Sequence, residues 1–168
     1  MSIGFKDYLF KYLKDKQQDE AVIDIPRQTY ATGVFSNPED KDPKIKPEII
    51  GQIMKQFTEF KKEYPILDYS LIGSILTKRY RDDADLDINV LFDIPKEKQE
   101  EERLRLSKQF LSTKNADNIQ GKLIPGTNHP INYYFITDKA TYDDQNKKAD
   151  AVFDLSLIHI SEPTRPMN

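Results

Sequence analysis

The sequence predicts one domain of the α+β or α/β class, a mixed β-sheet flanked by helices. Three observations carry that prediction. Residues 47–64 set Ile49, Ile50, Ile53, Met54, Phe57 and Phe60 at helical intervals, which gives a helix one apolar side. The run DLDINVLF (85–92) alternates Asp85, Asp87 and Asn89 with Leu86, Ile88 and Val90, the period of two expected of a strand. A charged helical pattern over 96–113 is then followed by two apolar runs of strand character, GKLIPG and HPINYYFIT. Helices and strands in this order suit a mixed sheet covered on at least one face.

The elements follow in order. Residues 4–19 bring Phe5, Leu9, Tyr12 and Leu13 near helical spacing and predict a short amphipathic helix. Residues 21–46 lack a periodic pattern and contain SNPEDKDPK, a turn-rich solvated stretch. Pro47 suits the first turn of a helix, where its missing N–H costs nothing, and Pro65 closes that helix. LDYSLIGS reads as a buried strand ending in Gly73-Ser74, and ILTKRYRDDA as a brief helix and a loop. In the 96–113 helix, Leu104, Leu106, Phe110 and Leu111 are expected to form the apolar stripe, while KEKQEEERLR supplies a solvated face with modest ion pairing. AVFDL is a further strand candidate. The expected division is a lead-in over 1–46, a core over 47–155, and a tail over 156–168. That tail, SLIHISEPTRP and onward, resembles translated read-through of a sequencing adapter, so the native chain is expected to differ beyond Asp154 or Leu155. The other reading is a natural polar tail with two prolines, and no role is assigned to His159, Glu162 or Arg165.

Composition narrows the chemistry. The 168 residues are 38% hydrophobic and 32% charged, enough for one core beneath an ionic surface. A net charge of -3 does not suggest a broad nucleic-acid backbone footprint, although a local basic patch is compatible with it. Without cysteine there is no disulfide, thiolate nucleophile or sulfur-ligated metal, which fits an intracellular, cytoplasmic setting. No apolar stretch reaches the roughly 18 residues that suggest a membrane span, and Met1–Tyr12 is unlike a signal peptide. His129 and His159 are the only histidines, so metal chemistry must rest on oxygen ligands, which favour magnesium or manganese.

Two places can carry such chemistry. A glycine at a strand end, as at Gly73, lets backbone approach a ligand closely, and Ser74 adds a hydroxyl donor for a phosphate. Asp85 and Asp87, two apart on a strand, direct both carboxylates to one face, where like charges call for a cation or for solvent. A hard divalent ion there can bridge to the phosphates of a nucleotide. The plainer reading is a wet strand end with two unrelated acids.

Taken together, GS at 73–74, ten intervening residues and DLD at 85–87, within LIGSILTKRYRDDADLDINVLF, resemble the nucleotidyltransferase superfamily with the DNA polymerase beta-like fold. The resemblance covers roughly residues 48–155. It implies that Gly73 and Ser74 contact a nucleoside triphosphate and that Asp85 and Asp87 bind the catalytic metal, Mg2+ or Mn2+. It also implies transfer of a nucleoside monophosphate to an acceptor hydroxyl with loss of pyrophosphate. The acceptor (RNA, a small molecule or a protein) and the oligomeric state stay open. The family's third acid, on a later strand, falls at Ile131-Asn132-Tyr133, where this chain has an amide. Asn132 can offer a metal its oxygen but is a poor proton acceptor. An inactive nucleotide-binding or regulatory domain of the same fold is therefore the alternative. Asp154 is a rival third acid or simply a strand-end residue. Among Lys78, Arg79 and Arg81, which meet phosphate or merely offset Asp82 and Asp83, Arg79 is favoured as a nucleotide contact. His129 reads as a turn residue ahead of an acid–base group, and Tyr133-Tyr134-Phe135 as strand packing ahead of base stacking.

Overall fold

The computed structural model describes residues 25–154 apart from 113, 115 and 150, so the helix expected over 4–19 and the tail from Ser156 lie outside the described residues. Helix α1 (Pro47–Lys61) opens on Pro47 and Glu48 and ends with Lys61, which matches its dipole at both ends. Strand β1 (Ile66–Ile72) follows, then a single 3-10 turn (Ser74–Leu76), β2 (Leu86–Phe92) and a second 3-10 turn (Lys96–Lys98). Helix α2 (Gln99–Leu111), β3 (Lys122–Leu123), β4 (Pro130–Ile136), α3 (Lys139–Lys148) and β5 (Val152–Asp154) complete the order.

The strands form one mixed sheet in the order β3-β4-β2-β1-β5, in which only β2 and β4 run parallel. Parallel neighbours need a long crossover, and α2 lies within it. Leu86, Ile88, Val90 and Phe92, one face of β2, are fully buried. Phe60 of α1 meets them: its ring lies edge-on to Phe92 (6.1 Å) of β2, Tyr133 (5.4 Å) and Phe135 (5.0 Å) of β4, and Phe110 (5.1 Å) of α2. Burying one such side chain contributes about 1.5–3 kcal/mol.

The opposite face carries a smaller cluster of Leu91, Ile136 and Tyr142, the last from α3. Asn146 of the same helix accepts hydrogen bonds through Oδ1 from Ser70 Oγ (2.9 Å) and Asn89 Nδ2 (3.0 Å). The sheet is thus covered by helix on both faces. Helix α3 has no counterpart in the sequence reading, because KATYDDQNKK buries only Tyr142 and shows no apolar stripe. It starts because the Asp138 side chain accepts from Thr141 N–H (2.8 Å).

Three expectations are revised. Leu104 is 55% exposed and lies outside the α2 stripe, because two residues turn a helix by roughly 200° and put Leu104 and Leu106 on opposite sides. GKLIPG contributes only the two-residue β3. The stretch 36–44 is solvated as expected, but its flanks are not: Ala31, Val34, Phe35 and Ile45 are buried with the main core, and a Phe35–Ile45 bridge closes the loop between them. Among the described residues no helix is long and apolar enough to cross a membrane.

Candidate active site

The first component is the end of β1. Gly73 has φ 115° and ψ 172°, a conformation open in practice only to glycine. A Cβ there would sit 3.7 Å from the backbone carbonyl oxygen of Asp85 and 3.9 Å from Asp87 Oδ2, so bare backbone lies beside the Asp87 carboxylate. The brief helix expected after it is one 3-10 turn, in which Leu76 N–H donates to Gly73 O (3.2 Å) and Thr77 N–H to Ser74 O (2.9 Å). Ser74 is buried in that turn. A Gly73→Ala variant is expected to lose about 1–3 kcal/mol in chemical denaturation, from backbone strain and not from a clash, since both contacts are ordinary ones.

The second component is the start of β2. Asp85 immediately precedes the strand and Asp87 is its second residue, in register with Ile72 of β1 and Asn132 of β4. Both acids are half-buried. Asn132 joins them: its Nδ2 donates to Asp85 Oδ2 (3.0 Å) and to Asp87 Oδ1 (3.4 Å). Its amide oxygen turns the other way, toward Gly121, whose Cβ would lie 3.9 Å from it. Gly121, at φ 78° just ahead of β3, donates its N–H to Ile131 O (2.9 Å) of β4, the residue before Asn132.

Chemically this is a set of oxygen donors, two carboxylates and an amide that presents its oxygen if it rotates. Such a set suits a hard divalent cation. Among the described residues no group of three or more histidine, cysteine, aspartate or glutamate side chains comes together. Among the described residues, the charged part of a cation site here would be the pair.

The remaining candidates separate. Arg79 is exposed on the loop between the 3-10 turn and β2, its N–H donating to Thr77 Oγ1 (3.0 Å). Arg81 pairs with Asp83 at 3.7 Å on the surface, and the Lys78 ammonium lies 5.3 Å from the Tyr30 ring. Asp154 pairs through its backbone with Ser70, level with Asn89 and not with Asp87, on the far side of β1 from β2. His129 is buried, and its Nδ1 lies 2.9 Å from Ala84 O; since a carbonyl only accepts, Nδ1 carries the proton.

Tyr133 and Phe135 are buried, and burial pushes the Tyr133 phenol well above its usual range. Tyr134 is 43% exposed, so strand packing accounts for its neighbours and not for it. It lines a cavity of about 500 Å3 between α2, β4 and α3, which the acidic pair does not enter.

Sequence reasoning missed two contributors. Gly121 was read only as the start of the GKLIPG strand candidate and not as a neighbour of Asn132. Arg27, which binds the loop ahead of Asp85, has no local signal, because its partners lie more than fifty positions away.

No curated protein and no solved structure gave a significant match. Residues 53–152 do match the family model described as a nucleotidyltransferase domain, a span that holds Gly73, Ser74, Asp85, Asp87 and Asn132. A match over more than half of the 168 residues shows the family, and the chain belongs to the nucleotidyltransferase domain family.

Proposed function

We propose that the protein is a magnesium- or manganese-dependent nucleotidyltransferase. It moves a nucleoside monophosphate from a nucleoside triphosphate, ATP among the candidates, to an acceptor hydroxyl and releases pyrophosphate. The observation that carries this reading is the Asn132 amide bridging the Asp85 and Asp87 carboxylates, with Asp87 Oδ2 beside the bare backbone of Gly73. Asp85 and Asp87 would hold the cation, which when bound neutralises phosphate charge and orients the nucleotide. Gly73 leaves room for phosphate to approach backbone, Ser74 donates a hydroxyl hydrogen bond, and Arg79 meets phosphate charge from the loop. Lack of cysteine supports a cytoplasmic setting. RNA, a small molecule and a protein side chain all remain acceptors compatible with these residues.

Asn132 favours a second reading, a domain that binds nucleotides without transferring them, since no carboxylate stands there to take the proton of the attacking hydroxyl. An Asn132→Asp variant is expected to raise pyrophosphate release by roughly 100-fold, the lower range of what a placed base contributes. An unchanged rate would mean that the amide does not limit turnover.

The reading is tested by calorimetric titration of each NTP with magnesium into the protein and its Asp85→Asn/Asp87→Asn variant. Binding by the parent and none by the folded variant is expected. Equal binding by both would remove the acidic pair from the site. Pyrophosphate release by the parent then separates transfer from binding alone.

A further inference from the structure

We infer that Arg27 is a positioning residue for the candidate active site, pinning the loop that delivers Asp85. The inference rests on the proposed nucleotide site only for its consequence, not for its geometry.

Arg27 grips the loop between the 3-10 turn and β2 at successive points. Its backbone N–H donates to Lys78 O (2.7 Å), its Nε to Tyr80 O (2.9 Å), and its terminal guanidinium nitrogen to Asp82 Oδ1 (2.8 Å). The guanidinium plane also lies over the Tyr80 ring, 4.3 Å from its centroid. These contacts are unequal. The Asp82 carboxylate is 86% exposed, so that ion pair contributes little. The bond to a backbone carbonyl and the stacking on a buried tyrosine hold more firmly.

The brace continues inward from Tyr80. Its ring stands edge-on to His129 at 6.2 Å, and His129 Nδ1–H donates to the carbonyl of Ala84, the residue before Asp85. His129 itself leads into β4, three positions ahead of Asn132. Arg27, Tyr80 and His129 therefore form one stack that touches the approach to both halves of the acidic site.

The base of this stack is fixed. Ala31, Val34 and Phe35, just after Arg27, are buried in the main core. Gly33 packs so closely on the turn before His129 that a Cβ there would run into Thr127 Cγ2. The segment 27–35 thus ties the core to a loop that lacks a strand or helix of its own. Without Arg27, Tyr80 loses its outer cover and the Ala84–Asp85 peptide has His129 as its remaining anchor from this stack.

The experiment uses Arg27→Met, which keeps the apolar stem, and Arg27→Lys, which keeps the charge but lacks the planar fork that spans Tyr80 O and Asp82 and stacks on the Tyr80 ring. Hydrogen exchange is followed for peptides covering 77–88 and, as an internal standard, α1. Nucleotide affinity with magnesium is measured at a temperature where every variant is fully folded. Faster exchange confined to 77–88 is expected in Arg27→Met, with affinity lowered about tenfold or more and Arg27→Lys falling between. Unchanged exchange over 77–88 overturns the inference, as does equal acceleration in α1, which would mark a general stabilising role. Faster loop exchange with undiminished affinity also overturns it. Should the parent bind no nucleotide, the proposed function fails, while the exchange pattern still decides whether Arg27 pins the loop.

Discussion

Asp87→Asn is expected to abolish magnesium-dependent nucleotide binding in a protein that remains folded. Asp87 is half-buried and faces Asn132, and asparagine has nearly the same shape, so no cavity or clash arises. Removing one of two neighbouring negative charges also relieves repulsion with Asp85 when no cation is present. The loss falls on the ligand. Replacing even outer partners of a metal site costs about 10–100-fold in affinity, and removing one of two charged ligands should cost at least the upper end of that. At a nucleotide concentration of about 100 times its Kd, a binding-competent protein gains roughly 2.7 kcal/mol. Thermal melts with and without magnesium-nucleotide should show that gain in the parent and nearly none in Asp87→Asn. A variant that keeps the full ligand-induced shift would place the nucleotide elsewhere.

Phe60→Ala should produce the largest loss of stability. The ring is fully buried at a point where α1, α2, β2 and β4 meet, and its neighbours are themselves rings that cannot collapse into the gap. Truncations of this kind cost about 3–5 kcal/mol. A domain stabilised by about 5–15 kcal/mol overall would be brought close to unfolding. Urea denaturation measures the change, and the exposed Leu104→Ala serves as control, expected within about 0.5 kcal/mol of the parent. Equal effects of the two substitutions would contradict the position of Phe60 at the junction. Because β2 and β4 hold Asp87 and Asn132 in register, a loosened junction should also weaken nucleotide binding beyond the unfolded fraction.

How much of this was legible in the sequence depends on where each residue's partners lie. Helix α1 and strand β2 could be read because their patterns are local: apolar side chains every three or four positions, or every second one, must face a single core. Gly73 and the two aspartates were legible for the same reason, since strand geometry alone sends Asp85 and Asp87 to one face. Helix α3 was not, because it is held by one buried tyrosine and by Asn146 reaching across to Ser70 and Asn89. Nor was the burial of Val34 and Phe35, which depends on distant elements to cover them.

What the sequence by itself determined is the class of fold, the family resemblance and the chemistry available: oxygen ligands, one acidic pair, and an amide where a third acid would stand. Only the tertiary structure decided what that amide does, through a parallel pairing that sets Asn132 beside residues 45 and 47 positions earlier. It also decided that Arg27, Tyr80 and His129 stack toward Asp85. The physical reason is the same in both cases. Backbone propensity and hydrophobic periodicity act over a few residues, whereas hydrogen bonds and ring contacts between distant residues exist only once the sheet has fixed their distance.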